Sequence, residues 1–146
     1  MIDTKRRIFL KGSLAAGAVG VAVGAGLLTP QAVLAAWPKG AFEAKEIPAA
    51  LKDLYGSDAA EESAEIKINA PDIAENGAVV PITIETAMAG VTSIALIAST
   101  NANPLVAEFQ LGEECLPFAS TRIKMGKTGP VVAVVKAGGK LYKASK

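Results

Sequence analysis

The sequence predicts an all-β fold: an immunoglobulin-like antiparallel β-sandwich of about seven strands with one short N-terminal helix, preceded by a signal peptide. Three observations predict it. From Glu65 onward, apolar residues recur with a period of two. The apolar runs are short, come about every ten residues and are separated by turn chemistry. Before them lies one segment of helical spacing, and before that a basic head, an uncharged stretch and a small-residue end.

The leader occupies residues 1–36. Lys5, Arg6, Arg7 and Lys11 form the basic head, and Gly12 to Leu28 follow without a charge. Thr29-Pro30-Gln31 breaks the run, and Val33-Leu34-Ala35-Ala36 supplies small residues for cleavage after Ala35 or Ala36. Arg6-Arg7-Ile8-Phe9-Leu10-Lys11 resembles the twin-arginine export signal, although Lys5 stands where Ser or Thr is more usual. The competing reading is a membrane anchor. Seventeen uncharged residues containing five glycines are short and weakly hydrophobic for a permanent span. The expected compartment is the bacterial periplasm, reached by the twin-arginine route, which carries folded protein.

Residues 37–64 read as a helix and a linker. Pro48 suits a first helical turn, Ile47, Leu51, Leu54 and Tyr55 recur at helical spacing, and Gly56 is a natural stop. Trp37 is expected to pack on the domain. The sandwich is expected over 65–146. Ile66 and Ile68 alternate with polar residues, as do Val80, Ile82 and Ile84. Val91–Ala98, Leu105–Leu111, Ser120–Met125, Val131–Ala137 and Lys140–Ser145 complete the strands. Asn76-Gly77, a pair that readily adopts positive φ, marks a turn, as do Asn101-Ala102-Asn103-Pro104 and Lys127-Thr128-Gly129-Pro130. Gly138-Gly139 reads as a two-residue hairpin loop. Val131 to Val135 is apolar on both faces, which predicts a central strand. Pro81 cannot donate to a ladder, so its strand is expected at an edge or bulged. There is no Cys-Trp-Cys spacing, so a true immunoglobulin domain is excluded.

Composition removes most catalytic kits. The chain of 146 residues is one domain's worth, and 51% hydrophobic against 20% charged residues argues against disorder. Histidine is absent, which excludes His-based triads and His-ligated metals. The single cysteine, Cys115, permits neither an internal disulfide nor a cysteine-cluster metal site. The formal charge of +1 gives no whole-chain reason to expect nucleic acid. Without the leader's four basic residues and Asp3, the remainder carries 11 basic and 13 acidic residues, a net charge of −2. Nine acidic residues fall within 43–75, and seven basic residues with no acid within 122–146. The default reading is ordinary solvated faces. The functional reading is a basic hairpin steering toward an acidic partner or anionic substrate.

Few residues carry candidate chemistry. Cys115 lies in Gly112-Glu113-Glu114-Cys115-Leu116-Pro117-Phe118, where an activated thiolate would want positive neighbours and finds negative ones. A plain thiol is the default, with an intermolecular disulfide or a reactive role as the alternatives. Glu61, Glu62 and Glu65 read as a solvated segment, and Arg122 as an outward-facing strand residue. No phosphate loop, glycosylation sequon, nucleophile elbow or lipid-attachment cysteine is present.

The run Lys67-Ile68-Asn69-Ala70-Pro71-Asp72-Ile73-Ala74-Glu75-Asn76-Gly77-Ala78-Val79-Val80-Pro81-Ile82 resembles SoxY-type sulfur carriers of the periplasmic thiosulfate-oxidising Sox system. Asn103-Pro104-Leu105-Val106-Ala107-Glu108-Phe109 and Ser120-Thr121-Arg122-Ile123-Lys124 are similar to two further strands of that family, and the leader and short helix fit as well. The resemblance covers nearly all of the chain after the leader. It implies a carrier subunit rather than an enzyme, with no cofactor or metal, no nucleic acid and no permanent membrane span. It implies a cysteine on a flexible C-terminal Gly-Gly-Cys-Gly-Gly tail, a SoxZ-type sandwich subunit as heterodimer partner, and other Sox enzymes acting on the carried sulfur. Here the chain stops at Lys146, inside the expected final strand, without that tail. Gly138-Gly139 is no substitute, and Cys115 does not align with the carrier cysteine. The expectation is a sequence cut short in or after its last strand. The alternative is an exported sandwich that binds or docks without covalent carriage. A hydrolase has no motif to support it.

Overall fold

The computed structural model describes residues 37–146. The signal motif residues Arg6, Arg7, Phe9, Leu10 and Lys11 lie outside them. Among the described residues two helices come first, α1 (Lys39–Glu43) and α2 (Ile47–Tyr55). α2 is the predicted helix. Pro48 sits in its first turn, where no intrahelical donor is lost. Gly56 ends it at φ 77°, donating its N–H to the Lys52 carbonyl at 2.8 Å. α1 is additional to the one helix expected, because five residues are too few to display a helical period. Trp37, just before it, is 68% exposed.

Eight strands follow: β1 (Ala60–Glu62), β2 (Ile66–Asn69), β3 (Val80–Thr86), β4 (Val91–Ala98), β5 (Leu105–Gln110), β6 (Phe118–Ile123), β7 (Val131–Ala137) and β8 (Lys140–Ser145). The last seven are the predicted ones. β1 lies in the stretch expected to be linker; three residues, two of them glutamates, show no alternation to read. The strands form a five-stranded sheet in the order β1-β8-β7-β4-β5 and a three-stranded sheet in the order β2-β3-β6. Both are antiparallel except at β1, which runs parallel to β8 with Ala60 opposite Leu141 and Glu62 opposite Lys143.

The helices explain the doubly apolar strands. One core lies between the sheets and includes Ile82, Ile84, Ile94, Leu96, Ala133 and Val135. A second lies between the helices and the outer face of the five-stranded sheet, where Ala50 and Leu51 meet Ala95, Ile97, Val134 and Leu141. β7 and β4 are therefore buried on both faces, as Val131 to Val135 predicts. The helix layer is tied down by Asn103, whose side-chain N–H donates to the Phe42 carbonyl at 2.9 Å while its oxygen accepts from Lys45 Nζ at 2.6 Å.

Pro81 departs from its expectation in part. β3 is central, between β2 and β6. Backbone groups of alternate residues point to alternate neighbours. The Thr86 N–H donates to the Pro117 carbonyl on the β6 side, so even-numbered β3 residues face β6 and Pro81 faces the β2 side. β2 ends at Asn69, opposite Thr83, so nothing pairs there and no donor is missed. Locally, Pro81 is an edge residue on a central strand.

Turns follow their residues with one difference. Gly138 and Gly139 both have positive φ, 56° and 80°, as a tight hairpin loop requires. Gly77 does not adopt positive φ. Its turn is held by Asn76, whose Oδ1 accepts the Ala78 N–H at 2.9 Å. Glycine is needed at 77 for closeness: a Cβ there would stand 2.9 Å from the Met125 carbonyl oxygen.

Candidate functional site: the groove at the end of the last strand

β2, β6 and β8 finish at the same end of the sandwich where β3 and β7 begin. The two sheets leave a groove there, a cavity of about 540 Å³. Val80, Ile82 and Val131 line its apolar floor, Met125 to Gly129 one wall, and Ala70 to Ala74 the other. The second wall carries Ile73, which is 87% exposed. This wall belongs to the Ala70–Val79 connection, the heart of the sequence block singled out above.

The last residue lies in this groove. The Lys146 backbone exchanges two hydrogen bonds with Val131, its N–H donating at 2.9 Å and its carbonyl accepting at 2.7 Å. Its ammonium donates to the Ala70 carbonyl at 2.7 Å and pairs with Asp72 Oδ1 at 3.3 Å. The end of β8 is thus held by β7 on one side and by the Ala70–Asp72 wall on the other. Sequence reasoning missed this clasp, since no local pattern links residues so far apart in the chain.

Neighbouring loops are rigidly tied. Asn101 accepts the Gly126 N–H at 2.9 Å and donates to the Lys124 carbonyl at 2.7 Å. Thr100 Oγ1 donates to the Lys127 carbonyl at 3.1 Å.

Cys115 is elsewhere. It sits exposed in the β5–β6 connection, its N–H donating to the Gly112 carbonyl at 3.0 Å. It precedes the start of β6, whereas the groove lies beyond the end of that strand. The separation is a whole strand length, on the order of 20 Å. Glu61, Glu62 and Glu65 are solvent-facing, as expected, and so is Arg122. The acidic and basic segments meet each other. β1 beside β8 brings Glu62 to 3.5 Å from Lys143, and Lys146 meets Asp72. Ordinary faces that largely offset one another describe them better than a free basic hairpin.

One polar cluster lies under the end of α2. Ser93 Oγ donates to the Tyr55 hydroxyl at 3.0 Å, and Lys136 Nζ stands 5.7 Å from the Tyr55 ring centre. Burial pushes the Tyr55 hydroxyl up to about 12, helped by the Glu108 charge and opposed by the Ser93 hydrogen bond. Burial also raises the Glu108 carboxyl, against a hydrogen bond from Gln110 and the charge of Lys136. Its sequence signal was Ser93, a polar residue inside an apolar run. The cluster seats α2 on the sheet. Among the described residues no helix is long and apolar enough to cross a membrane.

The fold defines a class: a helix-covered immunoglobulin-like β-sandwich. The family model described as "Sulfur oxidation protein SoxY" matches residues 51–146, and the chain belongs to the SoxY family. The sulfur carrier protein SoxY from Chlorobium limicola f thiosulfatophilum is 42% identical, with a TM-score of 0.64, over 76% of this chain and 96% of that one. Superoxide reductase (neelaredoxin) from Ignicoccus hospitalis is 16% identical, with a TM-score of 0.50, over 56% of this chain and 76% of that one. At that identity the likeness concerns the fold alone. No curated protein matches the chain. Membership supports a sulfur-carrier role in general.

Proposed function

We propose that this protein is the covalent carrier subunit of thiosulfate oxidation, holding sulfur intermediates on a cysteine of a C-terminal tail that follows Lys146. The observation that carries the reading is the match to the SoxY family over residues 51–146, together with 42% identity to a sulfur carrier protein. In this fold β8 is held at an open groove through Lys146. A glycine-flanked thiol on such a root has reach without bulk. Loading joins the tail thiol to the outer sulfur of thiosulfate. The thiol proton goes to solvent, and two electrons go to the partner Sox oxidase. The protein presents the adduct, and its partners do the redox and hydrolytic chemistry, so it is a carrier and not an enzyme.

The SoxZ-type subunit is the proposed heterodimer partner. Export to the periplasm by the twin-arginine route is proposed from Arg6, Arg7, Phe9, Leu10 and Lys11, with residues 1–36 removed. Two tests apply. A tail-complete chain incubated with thiosulfate, the SoxZ-type subunit and the oxidase gains the mass of one thiosulfate adduct on its tail cysteine in intact-mass spectrometry. No adduct, or an adduct on Cys115, overturns the assignment. Replacing Arg6 and Arg7 together by Lys leaves the precursor uncleaved in the cytoplasm; unchanged export refutes the route.

A further inference from the structure

The Ala70–Val79 connection is fastened at its far end through one glycine. The Gly77 carbonyl accepts the Met125 N–H at 2.8 Å, and a Cβ on residue 77 would stand 2.9 Å from the Met125 carbonyl oxygen. Asn76 shapes the turn that brings Gly77 there. Its Oδ1 accepts the Ala78 N–H at 2.9 Å, and its carbonyl accepts the Val79 N–H at 3.1 Å.

The same pair carries a reaction of its own. An asparagine side-chain amide is an electrophile, and the backbone nitrogen of the next residue can attack it to close a succinimide ring. A side chain on that next residue hinders the approach, and glycine has none. The chain has four asparagines, and only Asn76 precedes glycine. Asn69 and Asn101 precede alanine, and Asn103 precedes proline, which has no N–H to lose. Asn101 and Asn103 are also held at both atoms of their amides, by Gly126 and Lys124 and by Lys45 and Phe42. Asn76 is exposed, with only its oxygen engaged. Its amide nitrogen is the group that must leave, and the Gly77 nitrogen is the group that must attack. Neither has a hydrogen-bond partner among the described residues. The Ala78 N–H donates to the oxygen on which negative charge develops as the ring closes.

We propose that Asn76-Gly77 is a site of spontaneous succinimide formation, and that its isoaspartyl product unfastens this wall of the groove from Met125. A base in solution takes the Gly77 N–H proton, and the nitrogen bonds to Asn76 Cγ. The Cγ–Nδ2 bond breaks, and the nitrogen departs as ammonia. Water then opens the ring. Attack at the former side-chain carbonyl gives aspartate, and attack at the former backbone carbonyl gives isoaspartate. One water enters, one ammonia leaves, and nothing is oxidised or reduced. The aspartyl product keeps the backbone, and its carboxylate can still accept the Ala78 N–H. The isoaspartyl product routes the main chain through Cβ, one atom longer, just before the glycine whose fit against Met125 leaves no slack.

The full chain, aged while folded at mildly alkaline pH, tests both parts. Peptide mapping by mass spectrometry, with fragmentation that separates aspartyl from isoaspartyl residues, should show residue 76 converted at least about tenfold faster than Asn69 or Asn101. Once the isoaspartyl form is separated by chromatography, its Met125 amide should exchange hydrogen at least about tenfold faster than in the fresh chain. Asn76→Ser, whose hydroxyl can still accept the Ala78 N–H, should age without change in either readout. Conversion at residue 76 no faster than at Asn69 and Asn101, or only after unfolding, overturns the site. An isoaspartyl chain whose Met125 amide stays as protected as before keeps the site and overturns the unfastened wall.

Discussion

The Met125 carbonyl oxygen stands where a side chain on residue 77 would begin, so Gly77 is required by its neighbour and not by its own torsions. The Met125 N–H returns the contact by donating to the Gly77 carbonyl at 2.8 Å. Gly77→Ala should destabilise the domain by about 1–3 kcal/mol, read from denaturant unfolding, because backbone rather than a flexible side chain must give way. Tyr55 makes a pH prediction. Its folded-state value of about 12 lies above the ordinary 10, so its protonated form is favoured by folding. That contribution is fully present below pH 10 and is lost as pH rises toward 12. Tyr55→Phe should flatten the fall in stability over that interval, measured by thermal melts at stepped pH. Glu108 acts in the same direction at lower pH, its raised carboxyl weakening the fold as it ionises. Cys115, exposed and a strand length from the groove, should be dispensable: Cys115→Ser should leave the thiosulfate adduct at its unaltered yield.

The helix layer is the element on which the five-stranded sheet depends. α2 places Leu51 in the outer core with Ile97, Val134 and Leu141. Leu51→Ala should cost about 2–5 kcal/mol by chemical denaturation, with the smaller loss expected if the helix settles into the space. The seven later strands were readable from alternation, and β7 as central from its run of valines. α2 was readable from Pro48, Gly56 and the spacing between them. α1 and β1 were not, because one turn and three residues are shorter than any period that could reveal them. Pro81 was half readable. Proline does mark a missing donor, but only the end of β2 at Asn69 shows which side of β3 that donor would have faced.

At the scale of the molecule, sequence and structure agree on a sandwich domain and diverge at the site. Residues of the Ala70–Val79 connection and of the chain's end were each noticed, but only the fold brings Asp72 to Lys146. Such contacts depend on how both sheets close, which no local pattern encodes. Residues 37–146 alone should unfold in one cooperative transition by calorimetry, since the helices and both sheets share the β4 and β7 strands as their core. β8 lies between β7 and β1, so a strand made after β7 slots into the interior of a sheet rather than onto its border. Assembly of the larger sheet must therefore await the synthesis of β8. A nascent chain still short of Leu141 has an open gap beside β7, and β1 cannot pair until β8 arrives to fill it.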